Sequence, residues 1–147
     1  MLKILFVCHG NICRSTMAEY VMKDMVNKRG LDDEFEIDSC ATSREEIGNP
    51  IYPPARKKLI AEGIPVGSHR ARQITRADYE YYDRIYIMDR YNKKNLLRLL
   101  GDDKDEKIYF LIDRDVADPW YTGDFDATYR DVYEGCERII EEMYGRL

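Results

Sequence analysis

The chain has 147 residues, 44% of them hydrophobic and 35% charged, with a formal net charge of −5. That length and balance describe one domain with a real core and exclude a disordered chain. The acidic balance excludes a general nucleic-acid binder and offers anionic substrates no long-range attraction, so any affinity for phosphate has to be local.

No stretch approaches membrane-spanning length. The start, with Lys3 before apolar residues, has an apolar run far too short for a signal peptide, and His9-Gly10-Asn11 interrupts it. Cys8, Cys13, Cys40 and Cys136 lack the spacing of a secreted disulfide framework. The expected compartment is a reducing cytoplasm, and the expected assembly a monomer or weak dimer with no membrane or nucleic-acid partner.

Ile4 to Val7 reads as a strand that stops at Cys8. After a short loop, Arg14-Ser15-Thr16 leads into Met17, Ala18, Val21, Met22, Met25 and Val26, which recur at helical spacing as far as Gly30. A loop closing onto a helix N-terminus turns backbone N–H groups inward, and the helix dipole adds positive potential, so it suits an anion of phosphate size. His9, Gly10, Asn11, Ile12 and Cys13 form that loop, with Gly10 and Asn11 expected to take its left-handed backbone angles. A phosphate held there would meet the Cys8 sulfur and a bidentate Arg14 guanidinium. The same surroundings favour a thiolate at Cys8, to which Ser15 can donate a hydrogen bond. The plain alternative is a small buried thiol ending a strand. Strand, Gly-Asn loop, Arg, Ser and helix in that order favour catalysis.

Phe35 to Ser39 alternates as a second strand, Cys40 to Tyr52 is a loop, and Pro53-Pro54 opens a helix ending near Gly63. Ile64-Pro65-Val66 is a short extended piece, and Gly67 to Gln73 is basic. Thr75-Arg76-Ala77-Asp78 has the form of a capping box. Arg84 to Met88 is a third strand, and Asp89 caps a helix carrying Leu96, Leu97, Leu99 and Leu100 before Gly101. Ile108 to Leu111 is a fourth strand, Asp118-Pro119-Trp120-Tyr121 lies in a loop, and Phe125 to Met143 is an amphipathic helix. Strands alternating with helices predict an α/β fold, a parallel sheet covered on both faces, with active loops at the C-terminal strand ends.

A thiolate displacing a phosphate ester needs an acid to protonate the leaving group, and residues 8–15 contain none. Asp118 is attractive because Pro119 extends its backbone and Trp120 and Tyr121 could wall a pocket, although Asp-Pro often merely begins a turn. Asp89 and Asp124 remain alternatives. Cys13 is a packed thiol or a reversible disulfide partner for oxidised Cys8; its spacing from Cys8, His9 and His69 is poor for zinc.

The run Val7-Cys8-His9-Gly10-Asn11-Ile12-Cys13-Arg14-Ser15, with Met17-Ala18-Glu19 behind it, resembles the signature of low-molecular-weight protein tyrosine phosphatases. The resemblance continues through Asp38-Ser39, the Thr42 to Gly48 loop, His69-Arg70-Ala71-Arg72-Gln73, Met88-Asp89 and Asp118-Pro119-Trp120-Tyr121 with Asp124-Phe125. It implies a single 1–147 domain of the doubly wound, phosphotyrosine phosphatase I-like kind, with a four-stranded parallel sheet. It also implies Cys8 as nucleophile, Arg14 as phosphate clamp, Ser15 as thiolate stabiliser and Asp118 as general acid. Asn11, Ser39 and His69 would form a hydrogen-bond network holding the loop. No metal or cofactor is required, because loop amides and Arg14 supply the charge stabilisation.

The expected substrate is a phosphotyrosine-bearing protein or peptide, with a tyrosine kinase as counterpart and a mildly acidic optimum. Where mammalian members place a tryptophan over the substrate ring, the variable loop here reads Ser43-Arg44-Glu45-Glu46, so Arg44 and Glu45 join Trp120 and Tyr121 as expected pocket residues. Relatives acting on phosphoarginine tend to carry Thr where this chain has Ile12, which favours phosphotyrosine; arginine phosphatase is the alternative. Arsenate reduction needs two further clustered cysteines, and Cys40 and Cys136 are isolated. A non-catalytic phosphotyrosine-binding module would not need the Cys8, Arg14 and Asp118 set.

Overall fold

In the computed structural model, which describes residues 1–144, strands and helices alternate along the chain. The strands are β1 (Leu2–Cys8), β2 (Phe35–Ala41), β3 (Arg84–Ile87) and β4 (Ile108–Phe110), all parallel, in the order β2-β1-β3-β4. The helices are α1 (Arg14–Lys28), α2 (Pro53–Ala61), α3 (Arg76–Tyr81), α4 (Arg90–Leu100), α5 (Pro119–Thr122) and α6 (Phe125–Tyr144). The last three residues of the expected 1–147 domain lie outside the described residues.

Central strand β1 divides the core because alternate side chains leave a strand on opposite faces. Ile4, Phe6 and Cys8 join Met17, Val21 and Met22 of α1, Leu59 of α2 and Val132, Ile139 and Ile140 of α6. Leu5 and Val7 join Tyr79 of α3 and Leu96 and Leu100 of α4. The sheet is thus covered on both faces, as its near-continuous apolar strands require. Fully buried side chains such as Phe6 and Leu5 contribute about 1.5–3 kcal/mol each. Helix α6 lies so close that a Cβ at Gly135 would stand 2.3 Å from Leu111 Cγ, which leaves no room for any other residue.

The local signals act as their chemistry dictates. Thr75 and Asp78 form a reciprocal capping box, and Asp89 forms one with Asn92. Four expectations are adjusted. Strand β2 runs on through Cys40 and Ala41, two residues into the expected loop, where they pair with Val7 and Cys8. Strand β3 ends at Ile87 and β4 at Phe110, each one residue early. Residues 64–66 carry no strand ladder. Part of the expected Asp118–Tyr121 loop is helix α5, capped by Asp118, opened by Pro119 and closed by Gly123 in the left-handed conformation.

Strand order reverses beside β1, and such a switch point opens a crevice at the C-terminal strand ends. Cys8 ends β1 there, and Met88-Asp89 follows β3. The segment after β4 is drawn to the same place by the Val116 N–H, which donates to the Met88 carbonyl at 2.8 Å.

Candidate active site

The loop between β1 and α1 is held open by bonds behind it. The Thr42 and Ser43 N–H groups donate to the Cys8 and His9 carbonyls at 3.0 and 3.1 Å, and the Tyr52 N–H donates to the Ile12 carbonyl at 2.9 Å. Asn11 takes the left-handed conformation, φ 59°, whereas Gly10 does not. One left-handed residue suffices to turn successive amides inward. Cys13 precedes α1 without any side-chain cap, unlike the residues that open α3, α4 and α5. The first turn of α1 therefore keeps N–H groups that an anion can satisfy.

Three donors converge on the Cys8 sulfur: the Ser15 hydroxyl at 3.0 Å, the Asn11 N–H at 3.3 Å and the Ser15 N–H at 3.4 Å. Asn11 Nδ2 donates to Ser15 Oγ at 2.8 Å, which leaves the hydroxyl proton for the sulfur. The same Nδ2 donates to Ser39 Oγ at 2.9 Å. Asn11 Oδ1 accepts from His69 Nε2 at 2.8 Å and from the Arg72 N–H at 3.3 Å. Ser39 Oγ donates to Glu19 Oε1 at 2.6 Å, and Lys23 Nζ donates to Glu19 Oε2 at 2.6 Å.

Arg14 is 2% exposed. Its Nη1 donates to Asp89 Oδ2 at 2.6 Å and to the Val116 carbonyl at 2.9 Å, and its Nη2 reaches Asp118 Oδ2 at 3.4 Å. Burial works against the guanidinium charge, but the Cys8 sulfur, Asp89 and Asp118 outweigh it and keep Arg14 charged. Asp118 Oδ1 accepts from the Trp120 N–H at 3.0 Å, which fixes the carboxyl at the head of α5. The Cys13 thiol is pushed well up, chiefly by burial and then by the neighbouring Cys8 sulfur, and so stays neutral.

These groups border a cleft with about 530 Å³ of empty space, partly open to solvent. Cys8, Arg14 and Asp118 line it, with His9, Gly10, Ile12 and Cys13 from the loop. Glu45, Glu46, Trp120 and Tyr121 form its mouth. Asn11, Ser15, Ser39 and His69 stand behind the loop. Of the expected pocket residues, Arg44 is not at the cleft: its Nε donates to Gln73 Oε1 at 3.1 Å and turns it away along the loop edge. Glu46 lines the cleft instead.

The alternative acids are accounted for. Asp89 is spent on Arg14 and on capping α4. Asp124 accepts from the Ala127 N–H at 3.0 Å and does not border the cleft. Glu19, Asp38 and His69 bring ligand atoms within 4.8 Å of one another. Their carboxylate oxygens already accept from Ser39, Lys23 and Arg72, so the cluster is neutralised from within. The roles of Glu19, Asp38 and Arg72 in this support were missed; an acid amid the apolar residues of α1 was the available signal.

The class is therefore a doubly wound α/β protein whose first strand carries a thiol into an anion-binding loop, where a guanidinium and a carboxyl converge. The sequence profile described as "Low molecular weight phosphotyrosine protein phosphatase" matches residues 3–147. The chain is 36% identical to the low molecular weight protein-tyrosine-phosphatase YfkJ of Bacillus subtilis (strain 168), covering 97% of this chain and 96% of the relative. It is 39% identical to a low molecular weight phosphotyrosine protein phosphatase of Homo sapiens, covering 96% and 95%. The crystal structure of SP-PTP from Streptococcus pyogenes, a low molecular weight protein tyrosine phosphatase, superposes with a TM-score of 0.91 at 42% identity, covering 97% of this chain and 93% of that one. The chain belongs to the low molecular weight phosphotyrosine protein phosphatase family.

Proposed function

We propose that the chain hydrolyses phosphotyrosine in proteins or peptides through a phosphocysteine on Cys8. The observation that carries this reading is the convergence of three donors on the Cys8 sulfur at the floor of a cleft bordered by Arg14 and Asp118. Cys8 Sγ attacks phosphorus, the bond from phosphorus to the tyrosine oxygen breaks, and Asp118 gives that oxygen its proton. Water then attacks the phosphocysteine, Asp118 takes the proton, and inorganic phosphate leaves as the thiolate is restored. Arg14 and the loop amides hold the equatorial oxygens through both steps.

Ile12, an apolar group at the cleft, supports an aryl substrate over phosphoarginine. Cys40 and Cys136 are buried in clusters on opposite faces of the sheet, which gives no support to a thiol relay for arsenate. A tyrosine kinase is the counterpart such a reaction requires. The working form proposed is a monomer or weak dimer in a reducing cytoplasm, where the free Cys8 thiol would persist. Among the described residues no helix is long and apolar enough to cross a membrane. Cys8 and Cys13 line the same cleft, so a Cys8 oxidised by peroxide to the sulfenic acid would form a disulfide with Cys13 with loss of water, a step slowed by the burial that keeps the Cys13 thiol protonated.

Parallel initial rates on matched phosphotyrosine and phosphoarginine peptides test the reading, with Cys8→Ser as control. Phosphotyrosine should be preferred, and Cys8→Ser should lower kcat by roughly 10⁴-fold or more. Preference for phosphoarginine, or turnover by Cys8→Ser near the parent rate, would overturn it.

A further inference from the structure

A loop that captures the phosphoryl group fixes only the modified residue, and the peptide on either side must cross the mouth of the cleft. That mouth is acidic. Glu45, its side chain 69% exposed, is held by Oε2 at 2.9 Å from His9 Nε2, so it stands at the edge of the phosphate loop. Glu46 is held by Asn49 Nδ2, which donates to its Oε2 at 2.6 Å, and its Cγ lies 3.5 Å from where a Gly10 Cβ would be. Of the nearby cations, Arg14 is paired with Asp89 and Arg72 with Asp38 and Asp78, while Arg44 turns to Gln73 and Arg70 to the Gly48 carbonyl, so that neither of these two lines the cleft. Across the mouth, Trp120 and Tyr121 are 52% and 83% exposed and leave aromatic surface open to a passing peptide.

We infer that Glu45 and Glu46 make the enzyme selective for phosphotyrosine peptides that carry Lys or Arg beside the phosphotyrosine. This rests on the phosphatase reading and names its substrate class. A basic neighbour meets the two carboxylates, and its aliphatic stem and charged head can lie on the Trp120 or Tyr121 ring. An acidic neighbour is repelled by the same carboxylates while the phosphoryl dianion is drawn into the floor. Because Glu45 stands at the edge of the phosphate loop, the effect should be strongest for residues next to the phosphotyrosine.

The test uses the full chain and matched phosphotyrosine peptides with Lys, Ala or Glu on both sides, with free phosphotyrosine alongside. At low salt kcat/KM should fall in the order Lys, Ala, Glu, with the Lys-to-Glu ratio roughly tenfold, two exposed pairs each contributing up to about fivefold. Near 1 M salt, where the Debye length is about 3 Å, the ratio should approach unity. Glu45→Gln and Glu46→Gln should each lower the ratio by about threefold, and Glu45→Lys should invert the order. Equal rates on all three peptides, a Glu preference, or a Lys preference untouched by these substitutions would overturn the inference while turnover of free phosphotyrosine leaves the phosphatase reading intact. No turnover of free phosphotyrosine or of any peptide would overturn both.

Discussion

The floor of the cleft and its mouth are built in opposite ways. On the floor, Asn11, Arg14, Ser15 and Ser39 are each at most 2% exposed, and each makes several hydrogen bonds. At the mouth, Glu45 holds to His9 through one oxygen, Trp120 leans on Tyr52 with ring centroids 4.8 Å apart, and Tyr121 is 83% exposed. A group with several buried partners cannot shift without stranding polar atoms, whereas an exposed group with one partner can be exchanged at little cost. Under the proposed reading, the floor fixes the chemistry and the mouth chooses among substrates.

Asp118 stands where the two meet, so after the loss of the nucleophile its removal gives the largest expected effect. Asp118→Ala should slow hydrolysis of phenyl phosphate about 10³-fold, equivalent to about 4 kcal/mol of barrier. An ester whose leaving group departs unprotonated should lose far less. Steady-state rates on the two esters measure this directly, and equal losses would assign the proton to another group. Asp89 is the natural comparison: it is bound to Arg14 at 2.6 Å, so its loss should slow both esters alike.

Next in size is the loss of Asn11. Asn11→Ala strands Ser39, Ser15 and the Arg72 N–H and forces alanine into φ 59°, at a combined cost of about 3 kcal/mol by urea unfolding. Asn11→Gly keeps the hydrogen-bond loss but relieves the backbone, so it should recover about 1 kcal/mol. Trp120→Ala at the mouth should cost well under half as much as Asn11→Ala. If the two cost the same, floor and mouth do not differ in rigidity.

How much of this could be read in the chain follows from how locally each part is encoded. Residues 2–16 form strand, loop and helix in succession, so the Cys8-to-Arg14 arrangement was legible without knowing where anything else lay. Asp118 was legible only as one of three carboxylates, because the crevice gathers the ends of β1, β3 and β4 from far apart in the sequence. The residues flanking β3 and α6, Asp89 and Asp124, carry the same Asp signal but do not border the cleft. The first half of α1 is buried all round, from Arg14 to Met22, so the apolar stripe that runs from Met17 to Val26 does not reveal that Glu19, off that stripe, is buried as well. In the 43–48 loop no period constrains direction, so Arg44 and Glu46 exchanged places relative to expectation. Gly10 and Asn11 both permit left-handed angles, and only the pull of Ser39, His69 and Arg72 on the Asn11 side chain decides between them.

Asp38 gives a smaller effect than Asn11 and probes how far outward the floor extends. Its side chain is 31% exposed, yet it is tied to the floor through the Ser39 N–H at 2.8 Å and to Arg72 at 3.0 Å, with His69 Nδ1 at 3.3 Å. Burial works against its charge, but His69, the Ser39 N–H and Arg72 outweigh burial and hold the carboxyl at about 2, below its ordinary 3.8. A carboxyl depressed on folding adds stability in full above its unfolded value, and that contribution is lost as pH falls through the folded value. Between about pH 5 and pH 2 the parent should therefore lose about 2 kcal/mol that Asp38→Asn, which cannot titrate, does not lose. Urea unfolding at the two pH values should show the curves of parent and variant converging in acid. Parallel curves would mean that the Asp38 carboxyl is as loosely held as the mouth, and that the rigid floor stops at Ser39.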